Sequence, residues 1–528
     1  MQVNVLDLPE ELVEYILGLI SPYQDLKNAS LVCKQWNRLV KGVTSKIIRS
    51  FNLATQTGKI KWTAIKVDAG QTISKRYSHC ACYFDKSLYV CSGCTVTNTT
   101  FNDIWRFDLT TRQWVRPLAV GAYPSPKGCA SMVVYKDNLV LYGGWSHPTP
   151  YPLHQTSKFF SELDMFNPET NRWTHVCCMS PTPPPMAGHS ASIIGDYMVV
   201  FGGSMAPGVG SNDVYIFDFI ECVWRKEVTI GAKPSPRYGQ SQVTLDNNHI
   251  LILGGCGGAN QILSDVWLLI LNEDQAKWQE IKLENTEYAA PQLWCHPACM
   301  VDKCMVVISK SAKPSTPPSP KPLPHRPVVP PRPHYYNPLL HEPAPSHPPR
   351  FQEPDDSSSD DSASEDVNLN VSNDGFVHPR EVSSLGTASV RGGLPSVKPN
   401  AMSNRQKQLD TLRKYEERFR ASTTKPSPKL EAQETPRETR VSPMFLHVLD
   451  IQNVISSVTA TWKPYHEVVT TDTPEETVFF SLVQGRGELI MFGGIEKDIS
   501  SMQRGKTIES LSVSNTVHIV SASDFKLG

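Results

Sequence analysis

The stretch GHSASIIGDYMVVFGGSMAPGVGSNDVYIFDFIECVW, residues 188–224, decides the fold. It opens on small residues, Gly188-His189-Ser190-Ala191, which suit a strand in crowded surroundings. The run YMVVFGG, 197–203, is apolar without interruption, as a strand buried on both faces requires. Gly202-Gly203 permits a positive-φ turn at its end. DVYIFDF, 213–219, alternates, and Trp224 lies on a fourth, outer strand. Three other stretches carry the same order: 76–114, 127–173 and 237–278. Their corresponding tryptophans are Trp114, Trp173, Trp224 and Trp278, spaced by 59, 51 and 54 residues. A recurring period of this size marks a repeated β unit.

Two further units are broken. LWCHPACMV and KCMVVIS, 293–309, lack the glycine pair and run into proline, and their second half is found at MFLHVLDIQNVISSVTATWKPY, 444–465. A sixth unit, TVFFSLVQGRGELIMFGGI with SNTVHIVSAS, 477–523, has no tryptophan strand of its own. A spare strand ahead of the first unit, GKIKWTAIKV with Trp62, can complete it. The period fits the kelch class of repeat. The fold class expected is therefore an all-β six-bladed kelch β-propeller, in which each tryptophan packs under the next blade. A small N-terminal all-α module precedes it, and a long disordered insertion interrupts it. The glycine pairs are not phosphate loops, since no helix and no Lys-Ser/Thr follows them.

The helical module is read from LDLPEELVEYILGLI, 6–20, which places Leu8, Leu12, Tyr15, Ile16 and Leu19 on one stripe. Asp7 is expected to cap it, with Glu10 completing a capping box. LKNASLVCKQWNRLV, 26–40, reads as a second helical stretch. Some 40 residues cannot bury this much apolar surface alone, so the module is expected to dock on a partner or on the next domain. Of the 44 residues from 311 to 354, 16 are proline, and DDSSSDDSASED follows at 355–366. Such composition does not fold. Ser357, Ser358 and Ser362 each have an acidic residue three positions on, which suits an acidophilic kinase. The expected domains are 1–48, 58–310, 311–440 and 441–520.

The residues Leu8-Pro9, Glu10-Glu11, Ile16-Leu17 and Leu31-Val32-Cys33-Lys34-Gln35-Trp36 resemble the F-box pattern. The whole arrangement resembles F-box/kelch-repeat proteins over residues 5–310 and 441–515. The resemblance implies a substrate-recognition subunit of a Skp–cullin–F-box ubiquitin ligase. Leu8, Pro9, Leu12, Ile16, Leu17, Leu31, Val32 and Trp36 would bind the Skp-type adaptor, and through it a cullin and a RING subunit. It implies no cofactor and no catalytic residue. The alternatives are a kelch scaffold outside any ligase and, more remotely, a propeller enzyme.

Composition narrows the partners. A formal net charge of -1 gives no pull toward nucleic acid or anionic membrane. No apolar run of eighteen residues and no signal peptide is present, so cytoplasm or nucleus is expected. The 13 cysteines read as reduced thiols. His79, Cys80, Cys82, Cys91 and Cys94, and separately Cys295, His296, Cys299 and Cys304, raise a zinc reading, but strand positions scatter them and no metal is expected. His189-Ser190 lacks a nucleophile elbow. The substrate is expected on the face where the loops after the glycine pairs meet the links between units. Its candidate residues are Arg76, Tyr77, Lys127, Trp145, Tyr151, Arg237 and Tyr238. Their positive charges favour an acidic or phosphorylated protein segment.

Overall fold

The computed structural model describes residues 8–65, 72–97, 99–147, 157–258, 261–272, 275–311, 443–464, 470–496 and 512–523. Met1–Pro317 and Glu438–Gly528 form one unit. Asp7, Asn98, Tyr151 and the interior of the insertion lie outside the described residues.

Three helices open the unit: α1 (Glu10–Leu19), α2 (Gln24–Ser30) and α3 (Lys34–Thr57). Pro9 precedes α1, and its carbonyl accepts the N–H groups of Leu12 and Val13 at 3.0 and 3.2 Å. No side chain caps α1. The Glu10 carboxylate accepts Gln35 Nε2 at 3.0 Å and ion-pairs with Arg38, while the expected capping box involves Asp7, outside the described residues. The stretch expected as one helix over 26–40 is two. Cys33 is extended, and its Sγ accepts the Trp36 N–H at 3.4 Å, so a new helix starts there. α3 then runs past the expected boundary at residue 48. It stops only where Gly58 turns left-handed, at φ +70°.

Six sheets follow. Sheet I holds Cys80–Phe84, Ser87–Cys91, Ile104–Asp108 and Gln113–Val115. Sheet II holds Ser131–Tyr135, Asn138–Tyr142, Leu163–Asn167 and Arg172–His175, and sheet III Ser190–Ile194, Tyr197–Phe201, Val214–Asp218 and Val223–Glu227. Sheet IV holds Ser241–Thr244, His249–Cys256, Ile262–Leu271 and Ala276–Glu280. Sheet V pairs Ala298–Val301 and Cys304–Lys310 with Met444–Asp450 and Thr459–Trp462 across the insertion. Sheet VI holds Ser481–Gln484, Glu488–Phe492 and Val517–Ala522, and the strand of Trp62, Ile60–Ile65, pairs antiparallel with Val517–Ala522. Sheets II, IV and V each gain one short parallel strand.

The expectation of an all-β six-bladed kelch β-propeller is corrected by this topology. The described residues form nine sheets, six of four or five strands and three of two or three, and none closes on itself. Neighbouring sheets meet through side-chain packing and single backbone bonds, such as Gly93 N–H to Lys127 O at 2.9 Å, and not through a continuous ladder. The tryptophans are corrected too. Trp224 lies 4.8 Å from Tyr142 of sheet II and Trp278 4.9 Å from Phe201 of sheet III, each packing on the preceding sheet, and Trp114 of sheet I lies 4.9 Å from Phe492 of sheet VI. Sheet twist carries each outer strand back over its neighbour.

The glycine pairs do what their sequence suggests. Gly143 and Gly144 take φ +66° and +98°, and a Cβ on Gly144 would stand 2.9 Å from the Gly128 carbonyl oxygen. In sheet I, Ser92 holds the first position at φ +64° and Gly93 the second at +99°. The turn survives the serine at the strain of a left-handed non-glycine residue.

Candidate docking surfaces

The helical module buries one side and exposes another. Val13, Leu17, Leu26, Ala29, Leu39, Val40 and Val43 form its core, with Leu8 and Trp36 packed against it. The stripe read from the sequence is turned outward. Leu12, Tyr15, Ile16 and Leu19 stand exposed along α1, at helical spacing, and Leu31 and Val32 after α2 are 79% and 60% exposed. Pro9 is exposed as well. Of the eight residues assigned to adaptor binding, Leu17 is thus the one committed to the interior. Exposed apolar side chains gathered on one small helical unit mark an interaction surface.

The candidates on the sheets divide differently. Arg76, Lys127 and Arg237 are fully buried. Arg76 makes a two-pronged pair with Asp103, Nη1 to Oδ1 at 2.7 Å and Nη2 to Oδ2 at 3.0 Å, and donates to the Ser92 carbonyl at 3.0 Å. Its guanidinium lies 4.2 Å from the centre of the Phe101 ring. Arg237 repeats the design, with Asp265 at 2.7 and 2.8 Å and the Gly254 carbonyl at 3.0 Å. Trp105 donates Nε1 to Asp103 and Trp267 donates Nε1 to Asp265, both at 2.7 Å. Lys127 reaches Glu162 at 2.7 Å and Asp164 at 3.7 Å. Burial pushes the Asp103 and Asp265 carboxyls up, but the arginine hydrogen bonds and charge outweigh it and hold both below the ordinary aspartate range. These cations are internal struts, neutralised where they stand.

The aromatic candidates remain at the surface. Tyr77 packs edge-on against Phe479 at 6.0 Å, Phe479 against Trp294 at 5.4 Å, and Trp294 against Tyr238 at 6.3 Å. All four are half-buried. Trp294 and Phe479 were missed in the sequence. Alignment could have found the first, since Trp294 follows Leu293 as Tyr238 follows Arg237. Beside this arc, a cavity of about 160 Å³ is lined by Ser78, Cys129, Gly188, Gly239, Cys295 and Phe479, among others. Those six residues all have positive φ. Successive ones are joined by backbone bonds: Ser78 N–H to Phe479 O at 3.1 Å, then Cys129 to Ser78, Gly188 to Cys129, Gly239 to Gly188 and Cys295 to Gly239 at 2.7 to 2.8 Å. Trp145 packs on its own loop, against His147 at 4.1 Å and Phe159 at 6.2 Å.

The residues that raised a zinc reading are placed apart or spoken for. Cys80 lies directly opposite Cys91 in sheet I, and Cys82 opposite Tyr89. Burial pushes the Cys82 thiol well up, away from the thiolate a metal needs. Cys299 Sγ donates to the Leu482 carbonyl at 3.3 Å. Among the described residues no three His, Cys, Asp or Glu side chains are grouped to hold a metal ion. His189 Nε2 meets Ser131 Oγ at 2.8 Å, a contact between sheets. None of the thirteen cysteines, all of them described, is joined in a disulfide. No described helix is long and apolar enough to cross a membrane.

Comparison with known proteins finds a family match in the helices and another in the sheets. Residues 5–43 match the family described as F-box-like, and residues 76–278 match the family described as FBX42, beta-propeller domain. Adagio protein 3 of Arabidopsis thaliana is 34% identical over 207 residues, 38% of this chain and 32% of that protein. Kelch domain-containing protein 2 of Bos taurus is 25% identical over 271 residues, 48% of this chain and 64% of that protein. The dynein alpha chain of the flagellar outer arm of Chlamydomonas reinhardtii is 29% identical over 178 residues, 34% of this chain but 4% of that protein. The chain thus spans less than two thirds of each relative. A solved structure titled "Structure of YjhT" aligns with a TM-score of 0.36 and 16% identity, over 45% of this chain and 72% of that one, too slight a likeness to carry an argument.

Proposed function

We propose, from the premise that this chain joins an F-box-like domain to a domain of the FBX42 type, that it is the substrate-recognition subunit of a Skp–cullin–F-box ubiquitin ligase. F-box domains are non-catalytic and recruit Skp-type adaptors. The observation that carries the reading is the outward apolar stripe, Leu12, Tyr15, Ile16 and Leu19 with Leu31 and Val32. Covering these side chains with a helical adaptor removes apolar area from water at about 25 cal/mol per Å². Cullin and RING subunits would then follow through the adaptor. On the sheets, the reading assigns the protein to be modified to the arc of Tyr77, Phe479, Trp294 and Tyr238. Rigid aromatics of this kind anchor protein interfaces. The buried cations supply no unpaired charge there, so the preference for an acidic or phosphorylated segment loses its basis.

The test is adaptor binding by calorimetry with the full chain. Leu31→Asp and Val32→Asp together should weaken binding by at least about thirtyfold, as loss of a hot spot does. Both residues are exposed, so thermal melting should stay within a degree or two of wild type. Undiminished binding would overturn the assignment of the adaptor to this stripe, and a wild-type chain that binds no adaptor would sink the ligase reading in favour of a kelch scaffold.

A further inference from the structure

The hairpin between the two inner strands of sheet VI reads Gly485-Arg486-Gly487-Glu488. Every one of its residues meets the helical module. A Cβ on Gly485 would stand 2.4 Å from the Tyr23 hydroxyl, and one on Gly487 would stand 2.6 Å from Ile47 Cγ2. The two glycines therefore leave the room that Tyr23 and Ile47 fill. Arg486 donates Nη1 to the Pro22 carbonyl at 3.2 Å, and its guanidinium lies 5.8 Å from the Tyr23 ring centre. Glu488 Oε1 accepts the Tyr23 hydroxyl at 2.6 Å, and the Arg486 N–H donates to that hydroxyl at 3.2 Å. Arg112, from the turn between the outer strands of sheet I, donates to both Glu488 oxygens at 3.1 and 2.9 Å.

Tyr23 is fully buried by this arrangement, although it sits between α1 and α2 on what the sequence presents as a separate module. Burial, with Glu488 beside it, holds the phenol protonated far above its ordinary range. Two contacts flank the site: Gln24 N–H to Thr110 Oγ1 at 3.2 Å, and Lys86 Nζ to Gln24 Oε1 at 2.8 Å. A second attachment lies along the C-terminal half of α3. There Phe51 and Ala54 join one apolar core with Trp62, Val448 and Met491 of sheets V and VI. Attached at α3 alone, the helices could pivot; attached also at Tyr23, they cannot.

We infer that Gly485-Arg486-Gly487-Glu488 is a socket, with Tyr23 as the side chain that fills it, and that it fixes the direction in which the exposed apolar stripe faces relative to the sheets. That the stripe carries an adaptor rests on the ligase reading above; the socket itself does not. Its role would be to set where an adaptor stands relative to a protein bound on the sheets.

The experiment uses the full chain with nitroxide amino acids placed at the exposed positions Asp25, on α2, and Glu221, in the turn between the outer strands of sheet III. The distance distribution is read by pulsed electron paramagnetic resonance, with and without Tyr23→Phe or Gly485→Ala. Wild type should give one narrow distribution. Gly485→Ala, which wedges a methyl group against the hydroxyl, should shift it or broaden it about twofold. Tyr23→Phe keeps the ring and removes only the hydroxyl, so it folds even if the wedge does not, and it too should broaden the distribution. Adaptor affinity should be unchanged in both. Wild-type distributions in both variants would overturn the socket. A wild-type chain that binds no adaptor would instead overturn the ligase reading and leave the distance result intact.

Discussion

Arg76 and Arg237 look alike in sequence to residues that reach for a ligand, and their surroundings show why they do not. Each guanidinium has an aspartate and a backbone carbonyl around it before any partner arrives, and Arg76 has the Phe101 ring besides. Removing one member of such a buried pair leaves the other charge uncompensated, so Arg76→Ala should destabilise by about 3 kcal/mol. Arg76→Lys should recover only part, because a lysine cannot make the two-pronged contact. Urea unfolding at neutral pH measures both. The histidines beside these struts give a pH signature. Burial, and then the charges of Arg76 and Lys127 respectively, lower His79 and His189 from 6.5 to about 3. Above pH 6.5 both are neutral in either state, and their contribution is fully present. Below it the unfolded chain takes up protons that the folded chain refuses. Stability should therefore fall by up to about 1.4 kcal/mol per pH unit for each histidine as pH drops toward 3. Unfolding at pH 7.5, 6 and 5 should show this slope, and His189→Gln should flatten it. An unchanged slope would mean that His189 is charged in the folded protein.

At the scale of elements, sheet V carries the sharpest expectation. Cys304–Lys310 pairs residue for residue with Met444–Asp450, and Lys310 lies opposite Met444. The chain thus leaves and re-enters the sheet across one strand spacing of about 5 Å. Replacing residues 315–435 by a short glycine-serine loop should leave the melting temperature unchanged within a few degrees, since loop-closure entropy varies slowly with length. A cut between 315 and 435 should leave the two parts bound to each other on a sizing column. Separation would show that the strand pair does not hold on its own. This element was legible because broken repeats announce their missing halves: KCMVVIS ends without a glycine pair, and MFLHVLD begins without an inner strand. The apolar stripe of α1 was legible as well, from spacing alone. Its exposure was not, because periodicity shows which residues share a face and not whether that face meets the protein's own core. The burial of Arg76 and Lys127 was hidden for the opposite reason. Their partners, Asp103 and Glu162, lie some 30 residues away and are brought to them only by the turn that follows each inner strand pair. The start of α3 was hidden because a cysteine takes the capping place usually given to serine or aspartate.

At the scale of the whole molecule, the helices and the sheets are one construction. The sequence places a boundary near residue 48, and on that reading removal of residues 1–50 leaves the sheets undisturbed. The structure argues otherwise. Such a truncation strips Tyr23 from Glu488 and leaves Arg112 and Arg486 facing an emptied socket. It also removes Ile47 from Gly487 and leaves Phe51 and Ala54 on a helical stub of seven residues, Phe51 to Thr57. So short a stub has no helical stability of its own in water. Loss of one buried tyrosine with its hydrogen bond corresponds to about 3 kcal/mol or more. Residues 51–528 should therefore melt clearly below the full chain. Residues 67–528 should melt lower still, since they also lack Ile60–Ile65 and uncover the edge of Val517–Ala522. Differential scanning calorimetry of the three chains orders them. If residues 51–528 melt with the full chain, the helices add nothing to the sheets, and the module is as separable as its sequence made it look.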